Sequence, residues 1–414
     1  MHVETLSTGD EISSGQVVDT NSSYIANFLL DSGLRVKRHS AVGDDLESLA
    51  GMLKEISNRA DIAIVTGGLG PTTDDLTAEA VAKAAGVSLE LNDQAQSSMR
   101  SWFEKRGFNL SLSDNKQAML PIGSICLVND VGTAPGFAIR INRCMFYFMP
   151  GVPHEMKTMI SSLVMPSILK LQGQDRKNQD VRILSVFGLP EASLSEHLKG
   201  FARIFPDIRL GFRAVFPTLQ VKLHAEGEEK ESLDQKMASA LSWIETRIGN
   251  FIFSREGRSL EETVGKLLKG RNATLAVAES CTGGLISHML TDVAGSSDYF
   301  LLSAVTYSNP AKTDMLGVSE RTLAAFGAVS EETVSEMADG VRKRSGATYG
   351  IATSGIAGPG GGTADKPVGT VCIGFASLGI TESARYCFTF DNRSMNKKMF
   401  AAIALETLRR KLAA

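Results

Sequence analysis

The chain has 414 residues, too many for one ordinary hydrophobic core, so two or three domains are expected. Apolar residues make up 43% and charged residues 21%, a balance that excludes disordered, collagen-like and low-complexity classes. A formal net charge of −3 argues against a protein whose main work is coating nucleic acid, because that needs clustered, uncompensated Lys and Arg.

In chain order, short β-rich apolar runs alternate with amphipathic stretches: a strand over 2–7, a helix over 21–32, a strand over 35–42, a helix over 46–59, a strand over 61–66 and a helix over 76–85. This alternation predicts a doubly wound, mostly parallel α/β domain over 1–171, with ligands at the strand C-termini. The polar stretch 172–179 reads as a linker. A small α+β unit over 180–255 follows: a strand over 181–187, a helix over 191–201, strands over 209–216 and 219–225, and a helix over 230–248. It carries no catalytic cluster and reads as a spacer or dimerisation module. Residues 258–414 form a third, α/β unit. Its expected helices are 259–269, 283–290, one from Pro310, 331–344 and 396–412; its strands are 274–278, 300–307, 349–353 and 370–376.

Two glycine- and hydroxyl-rich loops each end an apolar strand. In the first, Gly67, Gly68 and Gly70 let backbone N–H groups approach an anion without Cβ interference, beside the start of the next helix. Asp74 and Asp75 follow, and Asp10, Glu11, Asp44, Asp45 and Glu155 stand after other strands. Converging carboxylates near a phosphate loop suit a divalent cation, with K+ as a further candidate ion. Tight turns and helix N-caps give the same residues a structural reading.

The strings STGDEISSGQVVDTN, VGDD, TGGLGPTTDDLT, KQAMLP, VGTAPGF and PGVPHEMK, spread over residues 7–157, resemble the amino-terminal domain of the CinA family of competence/damage-inducible proteins. That domain is similar to the molybdopterin-binding fold. The resemblance implies a metal-dependent ADP-ribose pyrophosphatase, with the phosphate loop on Gly67, Gly68 and Gly70 and acidic roles on Asp44, Asp75 and Glu155. Ile12-Ser13 departs from the two apolar residues usual there.

The second loop, 278–284, places Ser280 at an expected strand-to-helix turn, where helix N-terminal amides would steady an oxyanion. Helix capping by Ser280 or Thr282 is the structural alternative. His288 is the domain's only His and lies inside the following helix, so a Ser-His-Asp triad lacks a good base. Lys312 opens on the same sheet edge and would serve once burial or a neighbouring cation, Arg393 or Lys397, lowers its pKa. Tyr307 is a candidate proton relay or orienting group, Cys281 a rival nucleophile. The glycine-dense stretch 353–363 suits close approach to a phosphate or sugar.

AESCTGG, DVAGSSDYF, AVTYSNPAK, GAVSEET, TSGIAGPGGGTADKPVGTV and FDNR resemble the carboxy-terminal domain of the same family, over roughly 258–412. This implies hydrolysis of the carboxamide of nicotinamide mononucleotide (NMN) to nicotinate mononucleotide and ammonia, without a cofactor. Ser280 would be the nucleophile, Lys312 its base and Tyr307 an assistant. Substrate contacts would fall on Thr282, Gly283, Ser297, Gly358, Gly360, Gly361 and Arg393. Asp391-Asn392-Arg393 departs from the family's usual Gly-Asp-Arg.

The expected partners are therefore NMN and ADP-ribose, with a homodimer as the expected assembly and nucleic acid and membranes as non-partners. Two alternatives stand beside this reading. A competence factor would use the middle unit as a KH-like nucleic-acid module, yet 180–255 lacks a GXXG clamp. A molybdopterin-binding protein would bind without turnover. The five Cys include no CxxC pair, which fits reduced thiols. With no apolar run approaching about 18 residues and no secretion-type segment, a cytoplasmic location is expected.

Overall fold

The computed structural model describes residues 1–108, 114–172 and 178–413. The chain divides into two compact units, Met1–Lys177 and Asn178–Ala414. The expected linker 172–179 falls mostly outside the described residues; Gln172 ends a helix and Asn178 already begins a strand.

The first unit contains strands β1 (Val3–Thr8), β2 (Val36–Val42), β3 (Ile62–Thr66), β4 (Leu89–Leu91), β5 (Met119–Pro121), β6 (Ile125–Leu127), β7 (Gly136–Ile141) and β8 (Cys144–Met149). Six of them form one sheet in the order β2-β1-β3-β8-β7-β6, and β4 pairs with β5 separately. Strands β2, β1, β3 and β8 run parallel, whereas β8, β7 and β6 form an antiparallel meander at one edge. Every residue of β1 and β3 is buried, as expected for parallel strands covered on both faces. Along β3, Ala63 and Val65 join one core while Ile62 and Ile64 join the other, the period-two alternation of a strand between two helical layers. The helix Leu46–Arg59 starts at Asp45, whose carboxylate accepts the Ser48 amide, and lays Leu49, Leu53 and Ile56 on the sheet. The sheet is mostly parallel, as expected, and its antiparallel edge arises where Asn142, at φ 50°, and Arg143 make a two-residue hairpin turn between β7 and β8.

The second unit holds two sheets. Strands β9 (Asn178–Val186), β10 (Ile208–Val215), β11 (Thr218–Gly227) and β12 (Ile252–Ser254) are antiparallel in the order β10-β11-β9-β12, covered by the helix Lys230–Ile248. The single helix expected over 191–201 is two short ones, Glu191–His197 and Phe201–Ile204, because Gly200 at φ 88° turns the chain between them. Strands β13 (Leu275–Glu279), β14 (Phe300–Val305), β15 (Tyr349–Gly355), β16 (Thr370–Ser377) and β17 (Ile380–Cys387) form a mixed sheet in the order β14-β13-β15-β16-β17. Here β13 runs parallel to both neighbours and β15, β16 and β17 alternate. Phe187 and Phe253 of the middle segment share a buried cluster with Leu260, Val264 and Phe375, so this segment and the carboxy-terminal sheet have apolar core in common. Among the described residues, no helix is long and apolar enough to cross a membrane.

Candidate functional sites

At the carboxy-terminal sheet, β13 ends in Glu279 and delivers Ser280 into a turn whose geometry needs glycine. Gly283 and Gly284 take φ 61° and 92°, so the next helix starts only at Leu285. The Ser280 amide donates to Thr353 O on β15 at 3.0 Å, fixing the turn against the neighbouring strand. On the other side of β13, β14 leads to Ser308, which caps the helix Asn309–Leu316 with Pro310 in its first turn. That helix carries Lys312 back under the sheet edge. Lys312 is only 1% exposed. Its Nζ lies 3.2 Å from Ser280 Oγ and donates to Thr306 O at 2.8 Å.

Burial lowers the Lys312 pKa from its ordinary value of 10.5. Arg393, one of the two cations expected for this task, is engaged elsewhere. The Arg393 guanidinium donates to Gly358 O at 2.7 Å and to the Tyr307 hydroxyl at 3.1 Å. Lys397 Nζ lies against the Gly283 turn. Tyr307 is 63% exposed; its carbonyl lies 3.5 Å from Lys312 Nζ, whereas its hydroxyl reaches Arg393. Of the two roles expected for Tyr307, relay or orienting group, the carbonyl contact to Lys312 fits the second, while the hydroxyl links to Arg393. Burial pushes the Cys281 thiol up to about 12, which keeps it protonated and makes it a poor rival to Ser280.

Thr282 is buried, with Oγ1 2.8 Å from Thr353 Oγ1. Gly358 is buried at φ 83°, and a Cβ there would meet Val368 at 2.6 Å; Gly360 and Gly361 are exposed on the same loop. Ser297 is not brought to this site. It precedes β14, whereas Lys312 follows it, and a six-residue strand separates the two ends by roughly 20 Å.

Glu279 is a further site residue, absent from the sequence-based candidates. Fully buried, its carboxylate accepts the amides of Gly284, Ile286 and Ser287 at 2.9, 3.2 and 2.9 Å and the Ser287 hydroxyl at 2.6 Å. It therefore occupies the helix N-terminus that seemed available to an oxyanion. The signal was a Glu closing an otherwise apolar five-residue strand, a residue type that is buried only with partners.

In the amino-terminal unit the loops after β1, β2, β3 and β8 surround a cavity of about 440 Å³. Gly67, Gly68, Gly70, Asp44, Asp75 and Glu155 all line it, together with Asp74 and Glu11. Gly67, at φ 106°, packs so closely on Thr8 that a Cβ would overlap the Thr8 backbone, and Gly68, at φ 66°, packs likewise on the Thr77 hydroxyl. Lys116 Nζ braces the loop by donating to Thr72 O at 2.6 Å and Asp75 O at 2.7 Å.

The three acids expected to bind metal face this cavity from separate tethers. Asp44 accepts the Asp10 amide at 3.0 Å, Asp75 the Thr72 amide at 2.9 Å, and Glu155 the Asn129 amide group at 2.7 Å. Among the described residues, no group of three His, Cys, Asp or Glu side chains comes together as a metal cage. Their chemistry nonetheless suits a hard cation. Burial raises the Asp44 pKa, and against the lowering contributed by the Asp10 amide the charges of Asp10, Glu11 and Asp74 raise it further. One or two such carboxylates completed by phosphate oxygens is the usual manner of Mg2+ binding, so the residues fit an ion that arrives with a phosphorylated ligand rather than a closed cage.

Family models match the chain in three consecutive segments: "Probable molybdopterin binding domain" over 4–170, "Damage-inducible protein CinA KH domain" over 181–254 and "CinA C-terminal domain" over 257–412. A CinA-like protein of Desulfosudis oleivorans is 52% identical over 412 residues, covering 100% of both chains. The chain belongs to the CinA family. A second CinA-like protein, from Desulforapulum autotrophicum, is 49% identical over 416 residues, covering 100% of this chain and 98% of the relative. Among solved structures, the competence/damage inducible protein CihA from Agrobacterium tumefaciens is 40% identical, covering 37% of this chain and 94% of its own, with a TM-score of 0.36. The CinA carboxy-terminal match contains Ser280, Lys312 and Arg393, and the molybdopterin-binding match contains the glycine loop and all three acids.

Proposed function

We propose that the carboxy-terminal domain is a Ser–Lys amidase that releases ammonia from NMN. The observation that carries this reading is the 3.2 Å contact between Ser280 Oγ and a buried Lys312 whose pKa is lowered. Neutral Lys312 accepts the Ser280 proton as Oγ adds to the carboxamide carbon. The tetrahedral intermediate collapses as the C–N bond breaks, and Lys312 returns its proton to the leaving nitrogen, giving ammonia and an ester of nicotinate mononucleotide on Ser280. Water, deprotonated by Lys312, then adds to the ester and releases nicotinate mononucleotide. Because Glu279 already occupies the amides of Gly284, Ile286 and Ser287, that helix N-terminus does not hold the oxyanion. Arg393 and the Gly358 loop would hold the substrate phosphate. Acid quenching during turnover followed by peptide mass analysis should find the nicotinate mononucleotide acyl group on the Ser280 peptide; turnover with an unmodified peptide under single-turnover conditions would refute the acyl-enzyme.

For the amino-terminal domain we infer hydrolysis of a phosphoanhydride, with ADP-ribose as substrate and AMP and ribose 5-phosphate as products. The glycine loop would hold the diphosphate through backbone N–H groups while water adds to one phosphorus and the other phosphate leaves. A divalent ion held by Asp44, Asp75 or Glu155 and by the phosphates would neutralise developing charge. The molybdopterin-binding family match favours a second reading, a pterin site without turnover. Release of AMP from ADP-ribose decides for hydrolysis; tight pterin binding with no AMP release decides for the second reading.

A further inference from the structure

Strands β10 and β11 pair over eight residues, Ile208 with Ala225 at the base and Val215 with Thr218 at the tip. At about 3.3 Å per residue, the arm is roughly 25 Å long. On its other side β11 pairs with β9 from Leu219 to Gly227. Ile208, Leu210 and Phe212 pack in the middle-segment cluster with Leu219 and Val221 of β11, whereas Arg213, Ala214 and Val215 at the end of the edge strand β10 are exposed. Ending a hairpin in exposed apolar residues is costly unless they meet something. The tip is Val215-Phe216-Pro217, and Phe216 meets Phe390 edge to face, with ring centroids 5.3 Å apart and an interplanar angle of 89°.

Phe390 belongs to the carboxy-terminal site. Its carbonyl accepts the Asn396 side-chain amide at 2.9 Å, and the same amide donates to Ala357 O at 3.1 Å. Asn396 is fully buried. Three residues after Phe390, Arg393 reaches Gly358 O and the Tyr307 hydroxyl. A continuous set of contacts thus runs from the arm tip to the loop that carries Arg393, and on to the glycine-dense loop and Tyr307.

We propose that the middle segment acts as a prop for the amidase site: Phe216, through Phe390, positions the Arg393 loop and so sets how tightly the substrate phosphate is held. This rests on the amidase reading and on the assignment of the phosphate to Arg393. It gives the middle segment a task in substrate selection. Phe216 is a positioning residue, acting through Phe390 rather than on the reacting atoms.

The test uses the full-length protein with Phe216→Ala and Phe216→Tyr, assayed for ammonia release from NMN and from the same amide without its phosphate, nicotinamide riboside. Losing one edge-to-face contact should raise KM for NMN roughly three- to tenfold in Phe216→Ala, with kcat within about twofold of wild type. KM for the riboside should stay unchanged, and Phe216→Tyr should restore the wild-type KM. An unchanged KM for NMN, or equal KM increases for both amides, overturns the proposal. Hydrogen exchange of the ligand-free protein separates this from failure of the amidase reading. If wild type releases no ammonia, faster exchange over 388–396 in Phe216→Ala, with 349–355 unchanged, still supports the prop; no difference there overturns it.

Discussion

The two catalytic candidates differ in how complete they are before a ligand arrives. In the carboxy-terminal site the reacting groups already touch, Ser280 against Lys312 at 3.2 Å, and both are buried. In the amino-terminal cavity, Asp44, Asp75 and Glu155 face one space from three separate tethers and form no set of three. One site is assembled by packing; in the other the acids stand apart. The difference follows from position. Ser280 follows β13 and Lys312 sits on the helix after β14, adjacent strands of one sheet, whereas Asp44, Asp75 and Glu155 each accept from a different partner, Asp10, Thr72 and Asn129. Sheet-clamped groups should therefore fail in all-or-none fashion when one is removed, and loop-borne acids by degrees.

The sharpest break in this comparison should come from Lys312→Ala, which removes the base and leaves Ser280 with no proton acceptor. Ammonia release should fall at least about 10³-fold. In wild type, kcat/KM should rise with pH through an inflection below 10.5, the ordinary Lys value, because only neutral Lys312 accepts the proton; an inflection at the ordinary value would contradict tuning by burial.

A smaller loss is expected from Asp75→Asn, roughly 100-fold in AMP release from ADP-ribose, with ammonia release within about twofold of wild type. Equal losses in both activities would erase the distinction between the sites. Glu279→Gln should come next. It keeps the shape but turns one acceptor into a donor facing helix N–H groups, costing about 1–3 kcal/mol of stability in thermal unfolding. Ammonia release should drop by about tenfold as the Ser280 turn loosens.

The smallest effect concerns stability. Lys312 has a lower pKa folded than unfolded, so between the two values the unfolded chain binds more protons and stability rises with pH. Below the folded pKa the full penalty of burying a charged amine applies. Lys312→Met should therefore raise Tm most at low pH, with the gain shrinking as pH climbs toward 10.5, the ordinary value. A gain that grows with pH would contradict the assignment.

Much of this architecture is written locally. The helix Leu46–Arg59 and the helix Lys230–Ile248 follow from apolar periodicity and the helix Leu260–Gly270 begins at a Ser259–Glu262 capping box, signals that need no tertiary contact. Boundaries moved where glycine took a positive φ, at Gly200 and at Gly283-Gly284, because the sequence names the residue but not its backbone state. Ser280 and Lys312 were legible as a pair because both follow strands that would open on one sheet edge. Which of the two expected causes lowers the Lys312 pKa, burial or a neighbouring cation, was not, since burial depends on packing from many distant residues. Ser297 was carried over from the family resemblance alone, which does not show that β14 stands between it and Lys312. Glu279 was overlooked because a strand-ending carboxylate looks like a surface residue until the next helix folds back onto it.

The central claim is most directly tested by ammonia release from NMN in chelator-treated buffer, comparing wild type with Ser280→Ala of equal thermal stability. The account predicts undiminished release by wild type, none above background by Ser280→Ala, and abolition of AMP release from ADP-ribose by the same chelator. Full activity in Ser280→Ala, or loss of ammonia release on chelation with the fold intact, would contradict it.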